Sequence, residues 1–496
     1  MIHLSAPDFV VIFLYFGGVL FVGYRSARKT RSTEEDFLLA GRTLTLPIFI
    51  MTLVSTWYGG ILGVGEFSYR WGIANWTTQG VPYYFFAAVF AMFLAKRIRA
   101  TNFYTIPDKL ESSYDKKTAV LGSILTFILM TPAPYILMLS VLLQMLFGWS
   151  LLVSLIVTAI VAVSYLFWGG FRSDVQTNVL EFFLMFVGFA VILPFCHVRY
   201  GGIEFLKTHL PPLHLTWNGG NSIQFILVWF FIALWTLVDP AFHQRCYAAK
   251  DGKVAQRGIL LSIIFWFLFD AMTATAGLYA RAAIAHLDQP MMAYPMLAEL
   301  VLPPIAKGLF FVGLMATIMA SLDTLAFVSA QTLGRDLYGR LRGFNLNSQS
   351  PILNPQSSIP NPQSSIPNPK SQIPNPKSSG TTPYTRVGLV VTFVFSVVLS
   401  VFMPSVIQMW YTIGTVIIPG LLVPLMAGYF EQLTIPSRYA FLAMLCGWLT
   451  SLGWLIAGSV NGNSGLYPLG IEPMYPGLVV SLVWWGIGRT QVRKIA

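Results

Sequence analysis

The run Ser55-Thr56-Trp57-Tyr58-Gly59-Gly60, followed by Gly63 and Gly65, places hydroxyls and paired glycines inside an otherwise apolar stretch. Such residues can release backbone carbonyls from helical hydrogen bonding. Unwound backbone is tolerated at membrane depth only where it lines a cavity or is buried in protein. A second interruption, Thr236-Leu237-Val238-Asp239-Pro240, joins a proline, which removes a helical hydrogen bond, to a carboxyl group. Asp239 has two readings: a partner for a cation or a proton, or a cap on the freed amides of the next half-helix. Asp270, Glu66, Asp174 and Glu181 also lie within or near apolar stretches. A charge at the bilayer centre costs about 3 kcal/mol on insertion scales, so each is a functional candidate. For Asp270 the competing reading is a packed, hydrogen-bonded carboxyl that burial keeps neutral. His209 and His214 have only a weak metal spacing and read as solvated or satisfied. No paired loop carboxylates, metal cluster or nucleophile with a base is present. No catalytic residue, cofactor or transition metal is therefore expected, and the chain is not expected to be an enzyme.

The elements that must hold these residues follow from composition. The chain has 496 residues, 55% hydrophobic and 10% charged, against about 25% charged in soluble domains. Its mean hydropathy is +0.65. An ordinary soluble enzyme, a disordered chain and a nucleic-acid binder with charged faces are excluded. The expected fold class is an all-α integral membrane protein. Thirteen segments are apolar enough to span: a prefix helix at about 8–24, then 46–69, 77–95, 119–147, 150–168, 175–197, 222–242, 258–280, 305–333, 386–403, 406–430, 438–458 and 474–488. The prefix segment reads as a retained helix, not a signal peptide: Asp8 and no basic residue precedes it, and Arg25, Arg28, Lys29 and Arg31 follow it. With the N-terminus outside, all but Arg70, Arg199, Lys207, Arg281 and Lys307 of the 31 basic residues fall on the cytoplasmic side. Cell-membrane location, an outer N-terminus and a cytoplasmic C-terminus are thus expected. Cys196, Cys246 and Cys446 form no paired motif and read as small core residues.

Counted from the segment at 46–69, the two interruptions fall in spans one and six. Five spans separate them, so they occupy equivalent places in two halves of opposite orientation. That is the pattern of an inverted-repeat transporter with its site at the midplane. The expected organisation is a prefix helix and basic loop at 1–45 and a first repeat at 46–200. The second repeat would begin at 201–344 and end at 383–430, with two peripheral helices at 431–496. Between the parts of the second repeat, 345–382 repeats NPQSSIP and reads as a disordered loop, its proline density blocking helix and ladder alike.

Five motifs in order resemble one family. They are Glu35 to Arg42 (EDFLLAGR), Trp168 to Arg172 followed by Thr177-Asn178, Gln244 to Lys250 (QRCYAAK), Met315 to Thr324 (MATIMASLDT), and Arg335-Asp336-Leu337-Tyr338. The resemblance is to the sodium:solute symporters. It implies the leucine-transporter fold, ten core helices in two inverted repeats with discontinuous helices one and six, and solute uptake driven by Na+. The family's sodium lies between the first and eighth core helices. Carried over, its oxygens come from Leu53, Thr56 and Thr317 through backbone carbonyls, and from the hydroxyl of Ser321. A second family hydroxyl is replaced by Ala320, with Thr324 as the substitute and Asp323 beside it. Asn178 stands where some members carry an Asp for an additional sodium, so one sodium per solute is implied.

The solute is expected between the two breaks, at Ser55, Trp57, Tyr58, Gly59, Gly60, Trp235, Thr236 and Asp239, with Trp235 aligned near an aromatic that covers the solute in sugar-transporting relatives. The expected partners are a small-molecule solute, sodium and membrane lipid, with no nucleic acid. The alternative is proton coupling through Asp239 or Asp270.

Overall fold

The structure, a computed structural model, describes residues 2–30, 33–344, 346, 380–460 and 467–495. The repeat within the expected loop at 345–382 lies outside these residues. The described chain is helical throughout, with one isolated bridge, Leu44 to Ala249.

Helix α1 (Ala6–Ala27) starts at Ser5, whose amide and hydroxyl both donate to Asp8. The other Asp8 oxygen accepts the amides of Ile305 and Gly308, each at 2.8 Å, so one carboxylate caps two helix starts. Helices α2 (Leu46–Trp57) and α3 (Ile61–Trp71) meet at a 57° bend. The glycines are there for space: a side chain at Gly59 would strike Ser321 and Tyr135, and one at Gly60 would strike the Trp410 ring. Helix α4 (Val81–Phe93) is preceded by a π turn, Trp76–Gly80. A short helix α5 (Ile106–Ser113) leads to α6 (Lys116–Leu129), and a break at 130–132 separates that from α7 (Ala133–Phe147). This break was not anticipated from the sequence.

Helix α8 (Leu151–Tyr200) contains Gly170 at φ +57°, ψ −145°, a conformation that side-chain-bearing residues avoid. In one straight helix Tyr165 and Glu181 would stand more than about 20 Å apart. Both instead lie beside Asp323 and Tyr15, so the chain folds back at Gly170.

The second interrupted region comprises α9 (Ile223–Ile232), a single turn α10 (Trp235–Val238) and α11 (Pro240–Ala248). Helix α12 (Gly252–Ala283) follows. Helix α13 (Ala306–Gln331) is buried on all sides, which suits a helix that is apolar all round. It meets α8 at backbone contact, Gly188 against Gly313, the close approach that small residues permit. Helices α14 (Thr382–Phe402), α15 (Val406–Tyr429), α16 (Ser437–Val460) and α17 (Met474–Ile495) complete the bundle. Large apolar side chains such as Phe13, Phe21, Val394 and Val479 point outward. An exterior of this kind fits a hydrocarbon solvent.

Among the described residues, nine helices are long and apolar enough to span a membrane, ten with the bent pair α2/α3 counted as one. Thirteen segments were expected. The segments at 150–168 and 175–197 are joined through Gly170. The segment at 77–95 is divided between the π turn, α4 and Ala95–Ala100. The last segment ends in the polar stretch around Arg489.

Candidate functional site

The α2/α3 bend leaves backbone groups without helical partners, and α13 supplies one. The Ser321 hydroxyl donates to the Thr56 carbonyl and accepts the Gly59 amide at 2.9 Å. One side chain thus bridges both edges of the break. Thr324 lies beside it, its hydroxyl 3.1 Å from that of Thr56. Leu53, Thr56, Ser321 and Thr324 are all buried at this junction or within a turn of it. Thr317, one turn earlier on α13, returns its hydroxyl to the Gly313 carbonyl at 2.6 Å, the local back-bonding open to hydroxyls in helices.

Three further residues close the junction. Asn178 on α8 donates to Thr56 at 3.2 Å, Thr324 at 3.3 Å and Asp174 at 3.2 Å. Thr324 donates to Asp174 at 2.6 Å. Arg245 reaches in from α11, its Nη2 donating to Thr56 at 2.5 Å and Thr324 at 2.9 Å, and pairs with Asp174 at 3.6 Å. This corrects the placing of Arg245 in a basic loop after helix six. The helix restarts at Pro240 and runs to Ala248, which carries Arg245 inward to full burial. Its hydrogen bonds to Thr56 and Thr324 were invisible to the motif match, which registered only its place beside Gln244.

At the second break, Asp239 adopts extended backbone before Pro240, and its Oδ1 accepts the amides of Ala241 at 2.7 Å and Phe242 at 3.1 Å. The capping role is therefore real. Asp239 also lines a cavity of about 130 Å³ between the two breaks. Trp57, Tyr58, Gly60 and Trp235 line it too. Ser55 does not: it is fully buried and bonds Met51 and Thr52 carbonyls. Gly59 packs against Ser321 and Tyr135, and Thr236 is buried behind the wall.

Leu53, Thr56, Ala241, Phe242 and Leu325 add to the wall from the same elements, and six aromatic residues join it that the sequence reading did not name. Tyr83 and Tyr84 come from α4, Tyr135 from α7, Trp229 from α9, Trp266 from α12 and Trp410 from α15. Asp270 on α12 also faces the cavity and accepts hydrogen bonds from Tyr58 and Tyr84. Away from it, Glu181 accepts from Tyr15 at 3.2 Å and Asp323 from Tyr165. Glu66 pairs with Arg70 at 2.9 Å. Of the two histidines, His214 contacts the Tyr69 carbonyl at 3.0 Å and His209 stacks on Phe205. At one end of the bundle, Arg335 and Arg340 converge on Asp108 at 2.9 and 2.6 Å and on Asp336 at 2.7 and 2.9 Å. Burial pushes the Asp108 carboxyl upward, but the two guanidinium groups outweigh it and hold it at about 2.

Two interrupted helices around a buried cavity fit a fold of the leucine-transporter type, and comparison with solved structures agrees on the fold. A Na+-coupled sialic acid symporter in a substrate-bound outward-open state superposes with a TM-score of 0.74 at 15% identity, over 97% of this chain and 98% of that one. Mhp1 in an inward-facing conformation gives 0.51 at 11% identity, over 90% and 91%. The sequence narrows the class: the profile of the sodium:solute symporter family matches residues 37–354, and the chain belongs to that family. It is similar to the sodium/pantothenate symporter of Haemophilus influenzae, with 28% identity over 67% of this chain and 71% of that protein. Sodium/proline symporter 2 of Staphylococcus saprophyticus shares 22%, over 69% and 70%. The human high affinity choline transporter 1 shares 24%, over 66% and 61%. These relatives are transporters, and the chain is a transporter, not an enzyme.

Proposed function

We propose that this protein is a sodium-coupled symporter that imports a small organic solute across the cell membrane by alternating access. The observation that carries the reading is the junction at the α2/α3 break, where Ser321 of α13 joins both edges of unwound backbone. Hard cations take oxygen ligands, and unwound backbone at membrane depth supplies them without a buried carboxylate. Sodium would be held by Leu53, Thr56, Thr317, Ser321 and Thr324. The relatives named for sodium support this choice of ion. The solute would lie in the cavity against Trp57, Tyr58, Gly60, Trp235 and Asp239. Ser55, Gly59 and Thr236 shape the backbone behind it.

In this cycle sodium closes the α2–α13 junction, the solute then fills the cavity, and the two inverted repeats rock against each other. The N-terminus lies outside and the C-terminus in the cytoplasm. One sodium entering down 100 mV supplies about 2.3 kcal/mol, to which its concentration gradient adds. Proton coupling is the second reading, favoured by two buried carboxyls, Asp239 and Asp270, on the cavity wall.

The test is uptake into proteoliposomes of labelled choline, proline, pantothenate and glucose, with inward sodium replaced by potassium, across pH 5.5–8. Sodium coupling requires uptake of at least one solute that stops in potassium. Uptake that continues in potassium and follows pH overturns it in favour of protons.

A further inference from the structure

We propose that the solute bound in this cavity is an organic cation, an alkylated ammonium. This rests on the reading of the cavity as the solute site. The class comes from the composition of the wall. Ten of its 21 residues are aromatic, and its two ionisable acids are Asp239 and Asp270, with no lysine or arginine among them. A carboxylate-bearing solute would meet two acids and the negative faces of the rings. For a sugar, the Tyr58 and Tyr84 hydroxyls are already committed to Asp270, which leaves the Gln79 amide and the Trp266 ring N–H as partnerless donors on the wall.

The acids are already held by hydrogen bonds. Both oxygens of Asp270 receive tyrosine hydroxyls, and one oxygen of Asp239 receives two backbone amides. Arg245, which stands near Asp239, is engaged with Asp174, Thr56 and Thr324. The acid oxygens on the wall are therefore largely engaged and leave few open acceptors for N–H donors. Methylated ammonium suits such a site: it carries positive charge, needs no acceptor and binds through ring faces, best of all those of Trp. Trp57, Trp229, Trp235, Trp266 and Trp410 all reach the wall. The size agrees, because a cavity of roughly 150 Å³ accommodates benzene, and this one measures about 130 Å³.

The test is binding to the purified full-length protein in sodium buffer, by thermal shift and calorimetry. The probes are choline, tetramethylammonium, proline, pantothenate and glucose. The expected result is saturable stabilisation by both ammonium ions and none by pantothenate or glucose. W235F should keep that binding, and W235L should weaken it about tenfold. Sodium-dependent melting of each variant serves as the folding control. Three results overturn the proposal: saturable binding of proline, pantothenate or glucose while both ammonium ions fail, no binding by any probe, or unchanged ammonium affinity in W235L. Uptake of the bound probe under a sodium gradient is scored separately. A bound ammonium that is never transported refutes symport and leaves the ligand class standing. A transported neutral or anionic solute does the reverse.

Discussion

Replacing Arg245 by glutamine tests how the helix junction is held. The Arg245 and Asp174 side chains are both fully buried, 3.6 Å apart. Removing one member of a buried ion pair typically costs 3–5 kcal/mol, because the partner charge is left uncompensated. Here Asp174 keeps donors from Thr324 at 2.6 Å and Asn178 at 3.2 Å. Thr56 and Thr324 also keep each other at 3.1 Å. The low end applies, about 3 kcal/mol. The assay is thermal unfolding of the detergent-solubilised protein, followed by tryptophan fluorescence for R245Q, D174N and the double variant. If the cost is the orphaned carboxylate, R245Q melts well below wild type and D174N restores most of the loss in the R245Q background. The three variants should give a coupling energy above about 1 kcal/mol. A double variant no more stable than R245Q would refute the argument, as would an R245Q that melts with wild type.

S321A removes the group that joins Thr56 and Gly59; sodium-specific stabilisation relative to potassium should fall at least tenfold in apparent affinity, and an unchanged sodium titration would count against the proposed site. G60A forces a methyl group into the Trp410 ring and should cost about 1–3 kcal/mol, read as a lowered melting midpoint, with W410A in the same background relieving part of the loss. D108N should cost about 2 kcal/mol at neutral pH, because the folded carboxyl is held at about 2 against an ordinary 3.8. That contribution is complete above the ordinary value and lost as pH falls from 4 towards 2, so melting of wild type and D108N should differ by a constant amount between pH 5 and 8.

The membrane class was legible in composition, and both breaks were legible in local chemistry. Asp239 before Pro240 had a cap among its readings, and a cap is what it forms. The candidate cavity was legible in part. Trp57, Tyr58, Gly60, Trp235 and Asp239 reach it, while Ser55, beside them in sequence, turns its hydroxyl back on its own helix. Residues in a broken segment share a place in the chain, and their side chains still diverge around the axis.

What the amino-acid order determined alone is therefore whatever a few neighbouring residues decide: apolar runs that must leave water, the Ser-Thr and Gly59-Gly60 run and the Asp-Pro step that interrupt two helices, and basic loops. Only the tertiary structure decided that Arg245 donates to both Thr56 and Thr324, that Tyr58 and Tyr84 hold Asp270, and that the chain folds back at Gly170. Arg245 and Thr56 are 189 positions apart. No local pattern reports such a contact, because it is set by the packing of α2, α8, α11 and α13. A buried charge finds its partners there through the cost of having none.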